Sequence, residues 1–233
     1  MKYCKFCLLP DTKPQLVFDK NGICSACINN KLKQNVDWKS KHKDFLKLLE
    51  KYKNKDGSNY DCIIPVSGGR DSTYQTYAMK ETFGMNPLAV AFHPLDQTHI
   101  GRKNLDNLSD TFGCDIMMFH PNRHVARIMF KKALEELGSP GWYQDSALYA
   151  FPIRMAMKLD IKLVVYGEDV NYTYGGKFDE ETPSALNQPL NDAIKPAWDI
   201  WFKDGQLNEQ NLECTKLPDV NEVKRSGVEP IYL

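Results

Sequence analysis

Residues 60–72, YDCIIPVSGGRDS, decide the fold class of this chain of 233 residues. The first seven residues form a mostly apolar run that is typical of a buried strand, and the glycine pair that follows ends this strand. The polar residues after the glycines begin a helix that we predict to continue to about Phe83. A strand, a tight turn and a helix in this order open a βαβ unit.

Strand and helix patterns alternate beyond this unit. Short apolar runs predict strands at 88–92, 115–119 and 163–166. Helical periodicity predicts helices around 105–112, 125–137 and 145–159. This alternation is typical of α/β proteins, and it predicts an open parallel sheet with helices on both faces. Residues 228–233 have the composition of a further strand that stops before its turn, which suggests that the chain is a fragment of a longer protein.

The loop Ser67-Gly68-Gly69-Arg70-Asp71-Ser72 has the composition of a phosphate cradle. It would lie at the carboxyl end of the first strand, where open parallel sheets bind their ligands. Glycine lets the backbone approach a charged group closely, while serine hydroxyls and the free N–H groups of a helix N-terminus donate to phosphate oxygens. The loop does not match G-x-x-x-x-G-K-[ST], and the chain has no G-x-G-x-x-G, so a P-loop and a dinucleotide site are disfavoured.

Four of the seven cysteines form two C-x-x-C pairs, Cys4 with Cys7 and Cys24 with Cys27. The sixteen residues between the pairs match the spacing of structural zinc sites, in which four thiolates complete a closed tetrahedron. Two redox-active dithiols are the alternative. The remaining cysteines are interpreted as ordinary apolar residues: Cys62, Cys114 and Cys214.

The sequence divides into four regions. We predict a zinc knuckle over 1–30, a lysine-rich linking helix over 31–58, a nucleotide-binding domain over 59–176 and a substrate or interaction region over 177–233. The linking helix carries one apolar stripe, formed by Trp38, Phe45, Leu49 and Tyr52.

Charge is balanced overall but not along the chain. Thirty basic and thirty acidic residues cancel, while residues 1–58 carry a net charge of +7 and residues 160–233 a net charge of −7. The overall neutrality makes nucleic acid an unlikely partner, although the basic N-terminal part leaves it open. No apolar run reaches the length of a membrane span and no signal peptide is recognisable, so we expect a cytoplasmic protein that does not bind membranes.

Ser-Gly-Gly-x-Asp-Ser after a first strand resembles the signature of the PP-loop ATP pyrophosphatases, whose fold is called adenine nucleotide alpha hydrolase-like. More specifically, the chain resembles the N-acetyl sugar amidotransferases of bacterial surface-polysaccharide (LPS) biosynthesis. The similarity lies in residues 4–27, 60–90, FPIRMAMK at 151–158 and YGED at 166–169, and it fades beyond about 176. Arg70 stands where lysine is commoner in that family, and it keeps the charge.

This resemblance implies an activity. The acetamido oxygen of an N-acetylated, nucleotide-activated sugar would attack the α-phosphate of ATP with Mg²⁺ present, and pyrophosphate would leave. Ammonia from a separate glutaminase–synthase pair would then displace AMP and give an acetamidino sugar.

The resemblance also implies roles for individual residues. The phosphates would be bound by Ser67, Gly68, Gly69, Arg70, Asp71 and Ser72, with the Asp71 carboxylate facing Mg²⁺. The adenine pocket would be lined by the backbone around Ala91, Phe92 and His93. Further contacts to ATP or to the reacting groups would come from Arg154, Gly167, Glu168 and Asp169. The sugar would be bordered by Tyr172, Tyr174, Gly175 and Gly176.

Two other functions remain open at this stage. A tRNA-modifying PP-loop enzyme of the thiolation type is favoured by the basic N-terminal region, but no extra cysteine pair is placed for sulfur transfer. A non-catalytic nucleotide-binding subunit is the third interpretation, and it would bind ATP tightly without turnover.

Overall fold

The computed structural model describes residues 1–13, 16–167 and 201–233, together with Thr173, Gly175 and Ala185. Five parallel strands form one sheet in the order β3-β2-β1-β4-β5. The strands are β1 (Cys62–Pro65), β2 (Pro87–Phe92), β3 (Ile116–Phe119), β4 (Leu163–Tyr166) and β5 (Glu229–Tyr232). Ile63 on the central strand lies opposite Leu88 on one side and Val164 on the other. The predicted α/β fold with a parallel sheet is confirmed.

Helices connect these strands, and their ends follow local sequence signals. They are α1 (Ser25–Leu32), α2 (Trp38–Tyr52), α3 (Arg70–Tyr77), α4 (His99–Phe112), α5 (Arg123–Leu137), α6 (Trp142–Lys158) and α7 (Val220–Ser226). A π-helical turn, Ala78–Thr82, extends α3, and 3₁₀ helices cover Lys33–Asn35 and Glu209–Thr215. The side chains of Thr98 and Asn122 accept backbone N–H bonds at the starts of α4 and α5, while Gly113 and Gly138 end the same helices in the left-handed conformation.

Two hydrophobic cores lie on opposite faces of the sheet because successive strand residues point to opposite sides. On one face Ile63 and Val164 pack with α5, α6 and the buried Trp201. On the other face Cys62 and Ile64 pack with α2, α3 and α4. Helices therefore cover both faces, as predicted. The three cysteines outside the C-x-x-C pairs are all buried.

The linking helix is not continuous over 31–58. It breaks between α1 and α2, because Asp37 accepts N–H bonds from Lys39 and Ser40 and starts a new helix. Trp38 was expected on the apolar stripe, but it lies in the first turn of α2 and is 63% exposed. Phe45 and Leu49 do pack against the sheet.

The C-terminal region is part of the same sheet where the structure describes it. Trp201 is fully buried against Trp142 of α6, and β5 pairs with β4 along its whole length. Within the described ranges, no helix combines the length and apolarity needed to cross a membrane.

Candidate functional site

The strand order creates a crevice at the carboxyl end of β1. The chain leaves β1 towards β2 and β3 on one side of the sheet, and β4 and β5 lie on the other side. A reversal of strand order of this kind is the place where open α/β sheets bind ligands. The loop 66–69 after β1 and Gly167 after β4 both lie at this point.

Gly68 allows α4 to pack directly on the loop after β1. Its φ angle of +77° lies in the left-handed region, and a Cβ atom there would be 2.7 Å from the carbonyl oxygen of Gly101 and 3.0 Å from Cγ of Leu105. The side-chain amide of Asn104 donates to the Gly68 carbonyl at 3.2 Å. Only glycine fits this position without moving α4.

Hydroxyl groups inside the loop fix its shape. Ser67 Oγ accepts from Gly69 N at 3.3 Å, and Ser72 Oγ accepts from Ser67 N at 3.4 Å and donates to the Gly69 carbonyl at 3.0 Å. Thr73 Oγ1 donates to the same carbonyl at 2.9 Å. The two predicted serines thus shape the loop in this structure, and their contact with phosphate stays a prediction.

The N-terminus of α3 is open. Gly69 is its N-cap, and no side chain among the described residues caps it. Its first backbone N–H groups and the positive end of its dipole therefore face the crevice, which is a favourable arrangement for an anion. Arg70 and Asp71 stand on this end, 3.3 Å apart, with side chains 93% and 88% exposed. A pair this exposed adds little to stability, so both groups remain available to a ligand.

Helix α3 also ties the ends of β1 and β4 together. Gln75 Nε2 donates to the carbonyl of Val165 on β4, and a Cβ atom on Gly167 would be 3.0 Å from Gln75 Oε1. The predicted residue Gly167 is thereby placed beside α3. Five other predicted residues lie outside the described part of the chain: Glu168, Asp169, Tyr172, Tyr174 and Gly176.

A cleft of about 300 Å³ opens at the carboxyl ends of β2 and β3. It is lined by His93, Pro94, Leu95, His120, Pro121, Arg123 and Ala126. The rings of His93 and His120 lie 4.4 Å apart. Burial, helped by His93 and by Arg102, lowers the pKa of His120. Two neighbouring imidazoles, tilted by 33° to each other, and the apolar residues around them provide surfaces that suit an aromatic base.

Sequence reasoning found only part of this cleft. His93 was predicted and lines the cleft. The side chains of Ala91 and Phe92 are buried in the two cores, 1% and 5% exposed, and a contact of their backbone with adenine stays a prediction. The residues that the prediction missed are His120 and Arg123. His120 directly follows β3 and Arg123 begins α5 three residues later, and this position after a predicted strand is the signal that identifies them.

Arg154 contacts the C-terminal region. Its Nε donates to the Lys216 carbonyl at 2.8 Å, and its NH1 group is 2.6 Å from a carboxylate oxygen of Glu213. These contacts fasten α6 to the 3₁₀ helix Glu209–Thr215. A part for Arg154 in catalysis stays a prediction.

The four paired cysteines converge on one point. Cys4, Cys7, Cys24 and Cys27 bring their Sγ atoms within 4.8 Å of one another. The Sγ atoms of Cys4 and Cys27 are 3.9 Å apart, and those of Cys7 and Cys24 are 3.5 Å apart. Four sulfurs around one ion at a metal–sulfur distance of ~2.3 Å have nearly this separation, so the cluster fits a single tetrahedral ion.

The surroundings favour the thiolate of Cys4 but disfavour those of Cys24 and Cys27. Burial disfavours ionisation of the Cys4 thiol, but backbone N–H groups of Cys7, Cys24 and Phe6 outweigh it and hold its pKa at about 6. Burial raises the pKa of Cys24 and of Cys27. Four thiolates at such short distances repel one another, and a bound cation removes this cost.

Comparison with known proteins gives distant similarities. No protein-family model matches the chain. Among curated proteins, an uncharacterised protein of Methanocaldococcus jannaschii is 25% identical over 173 residues, which are 72% of this chain and 60% of that protein. The chain therefore spans less than two thirds of the length of this relative.

Two solved structures are also similar. NMN synthetase from Francisella tularensis has a TM-score of 0.42 and 16% identity, over 62% of this chain and 61% of that chain. The U34-tRNA thiolase NcsA from Methanococcus maripaludis, solved with its 4Fe–4S cluster, has a TM-score of 0.37 and 13% identity, over 97% and 71%. Neither similarity bears on which reaction this chain carries out. The strand order and the helices on both faces by themselves define an α/β protein with an open parallel sheet.

Proposed function

We propose that this chain is an ATP-dependent amidotransferase, which adenylates the acetamido group of an N-acetylated sugar and replaces its oxygen with ammonia. The observation that carries the proposal is the open N-terminus of α3 at the crevice, with Arg70 and Asp71 exposed on it. Cleavage of ATP between its α- and β-phosphates needs such an anion site, because charge develops on the departing pyrophosphate. The sugar as second substrate comes from the family resemblance of the sequence.

In this proposal ATP lies along the carboxyl edge of the sheet. The N–H groups of α3 and the Arg70 guanidinium bind its phosphates, and Asp71 faces the Mg²⁺ ion that bridges them. The adenine occupies the cleft that His93 and His120 line. Because neighbouring strands are ~4.8 Å apart, the ends of β2 and β3 lie about 5–10 Å from the loop after β1, which one nucleotide can span.

The proposed reaction consumes ATP because the amide oxygen must be activated before it can leave. An amide oxygen is a poor leaving group, so the acetamido oxygen first attacks the α-phosphorus, and the bond to pyrophosphate breaks. Ammonia then attacks the activated carbon, and the carbon–oxygen bond breaks. The acetyl oxygen leaves within AMP, and a proton lost from the nitrogen goes to solvent. The N–H groups of α3 and the Arg70 cation stabilise the negative charge on pyrophosphate.

Two partners belong to the proposal. The sugar is nucleotide-activated and its product enters surface polysaccharide, and a glutaminase–synthase pair supplies the ammonia in the cytoplasm. An ammonium salt replaces this pair in a purified system, so the reaction can be tested with the chain and small molecules alone.

The test is product analysis with ATP, Mg²⁺ and ammonium, run separately with nucleotide-activated acetamido sugars and with tRNA. We expect AMP and pyrophosphate only with a sugar, and a heavy-oxygen label in the acetyl group should end in AMP. Asp71→Asn should lower the rate strongly. Asp106→Asn is the matched control, because Asp106 forms an exposed pair with Arg102 on α4, 3.2 Å apart, and it should leave the rate unchanged.

Each other outcome has a definite meaning. ADP and phosphate as products would contradict the proposal. AMP formed only with tRNA would identify a tRNA-modifying enzyme, in which the basic residues 1–58 would bind the tRNA phosphates. Tight ATP binding without turnover in any arm would identify a non-catalytic nucleotide-binding subunit.

We further propose that the ion in the cysteine cluster is Zn²⁺ with a structural role. Four thiolates leave no open coordination position for a substrate, so metal binding contributes to folding rather than to chemistry. Cys4→Ser should lose the metal and the folded structure of residues 1–30, while Cys114→Ser, at a buried cysteine outside the cluster, should keep both. Metal-free protein in which residues 1–30 stay fully folded would contradict this role.

A further inference from the structure

The zinc knuckle contacts the chain that follows β4. Ser25 and Ala26 lie between the metal ligands Cys24 and Cys27, in the first turn of α1. Ser25 Oγ donates to the carbonyl of Gly175 at 3.0 Å, across 150 positions of sequence. The same hydroxyl accepts from Val17 N at 3.4 Å, so it is fixed from both sides.

Gly175 is enclosed by the knuckle. It is buried, and its φ angle is +83°. A Cβ atom at this position would be 2.7 Å from Ala26 N, 2.7 Å from Leu16 Cδ1 and 2.8 Å from Ser25 Oγ. Ala26 N is a backbone atom of the turn that presents two metal ligands, so it cannot move aside without moving Cys24 and Cys27. The position therefore requires both the conformation and the size of glycine.

We propose that the cysteine metal centre positions the chain after β4 through the contacts that Leu16, Ser25 and Ala26 make with Gly175. Metal occupancy and the placement of this segment are then coupled. The contact joins the cysteine cluster to the chain after β4, since Gly167 directly follows β4 beside α3 and Gly175 lies eight residues further along. Coupling is reciprocal: a change at Gly175 weakens metal retention, and loss of the metal releases Gly175. Gly175 is thus a positioning residue that needs no contact with ATP.

Metal retention gives the first test, and it does not depend on turnover. Zinc-loaded protein is mixed with an excess of a chromophoric chelator, and the release rate is followed by absorbance. Gly175→Ala should release zinc faster by on the order of tenfold. Gly205→Ala is the matched control, because Gly205 has a φ angle of +70° with nothing within 4 Å of its Cβ position. It carries the same backbone strain without the overlap, and it should release zinc at the wild-type rate.

A milder variant keeps the test valid if Gly175→Ala does not fold, as judged by circular dichroism. Ser25→Ala removes only the hydroxyl that donates to Gly175, and it should accelerate release by a few-fold. Equal release rates in wild type, Ser25→Ala and Gly175→Ala would overturn the proposal. So would acceleration by Gly205→Ala as large as by Gly175→Ala.

Hydrogen exchange tests the reciprocal direction. Removing zinc should speed amide exchange in a peptide that contains Gly175, while a peptide covering Cys62–Pro65 in β1 keeps its rate. Unchanged exchange at Gly175 would contradict the coupling, and so would an equal loss of protection in both peptides, because the effect would then not be specific to the segment that contains Gly175.

The consequence for the reaction rests on the proposed function. In the amidotransferase assay, Gly175→Ala should raise KM for the sugar more than KM for ATP, because the phosphate loop after β1 is held by α3 and α4 and not by the knuckle. A protein without sugar-dependent AMP formation would refute the proposed function, while the release and exchange measurements would still decide the coupling.

Discussion

Gly68→Ala tests whether the loop after β1 is shaped by its close contact with α4. An alanine at a φ angle of +77° costs roughly 1–2 kcal/mol through the left-handed conformation alone. Its Cβ would also overlap the carbonyl oxygen of Gly101, 2.7 Å away, and overpacking of this kind adds about 1–3 kcal/mol. We therefore expect a loss of about 2–5 kcal/mol in the free energy of unfolding.

Gly57→Ala separates these two contributions. Gly57 has a φ angle of +70° and nothing within 4 Å of its Cβ position, so its replacement carries the strain without the overlap. Urea unfolding followed by circular dichroism should give a loss of about 1–2 kcal/mol for this control. Calorimetric titration with ATP should show weakened binding for Gly68→Ala only, because α4 or the loop must shift to make room.

The refuting result for this prediction is specific. If Gly68→Ala and Gly57→Ala lose equal stability and bind ATP equally, the contact with α4 does not shape the site. Asn104→Ala provides an independent check, because it removes the amide that donates to the Gly68 carbonyl at 3.2 Å. It should cost about 1 kcal/mol and weaken ATP binding less than Gly68→Ala does.

Three further predictions concern the rest of the molecule. Asp61 is 3% exposed, and its carboxylate accepts two backbone N–H bonds, each 2.6 Å long, at the amino end of β1. Asp61→Ala should therefore lower the free energy of unfolding by about 3 kcal/mol in urea and leave the ATP affinity unchanged. Weaker ATP binding would contradict a purely structural role of Asp61. The pKa of His120 is lowered from 6.5 in the folded state, so stability should fall as the pH drops through 6.5, and His120→Gln should flatten this fall in unfolding measured across pH. Arg154→Ala should lower stability by about 1–3 kcal/mol, because it removes the bond to the Lys216 carbonyl as well as the ion pair. Glu213→Ala removes only the ion pair, at a side chain 58% exposed, and should cost less than about 1 kcal/mol. Turnover that falls more in the Arg154 variant than its loss of stability explains would establish a catalytic role for Arg154.

Local patterns account for what the sequence predicted well. Apolar runs of four to six residues mark buried strands because both faces of a parallel sheet are covered. Nearly every residue of β1, β2 and β4 is buried. The glycine pair after β1 marks the crevice because few other residues permit the backbone to turn there. The C-x-x-C spacing predicts the cysteine cluster because each pair places two thiols on one tight turn.

The start of α2 and the pairing of His93 with His120 also have local sequence signals. Asp37 precedes Trp38 and is a favoured N-cap residue, which predicts a helix start inside the presumed continuous helix. His120 follows the third strand just as His93 follows the second. In a parallel sheet these two positions must be neighbours, and their rings are 4.4 Å apart.

Long-range contacts could not be predicted from one sequence. Ser25 and Gly175 are separated by 150 positions, and Arg154 and Lys216 by 62. Nothing in the local sequence around either residue indicates its partner, because such contacts arise from the way whole elements pack. The strand order is undetermined for the same reason, since the βαβ pattern fixes parallel pairing but not which side of β1 receives β4.

The edge position of β5 has a consequence for the order of folding. Strands β1 to β4 come from one continuous stretch, whereas β5 begins only at Glu229 and must pair with β4 across residues 167–228. Strand β4 itself pairs with β1 across the longer stretch 66–162, so chain entropy does not set the order; synthesis does, because it delivers β5 after the other four strands. The four-stranded sheet should therefore assemble first, while the chain is still being synthesised, and the docking of β5 should be the late step that completes the edge.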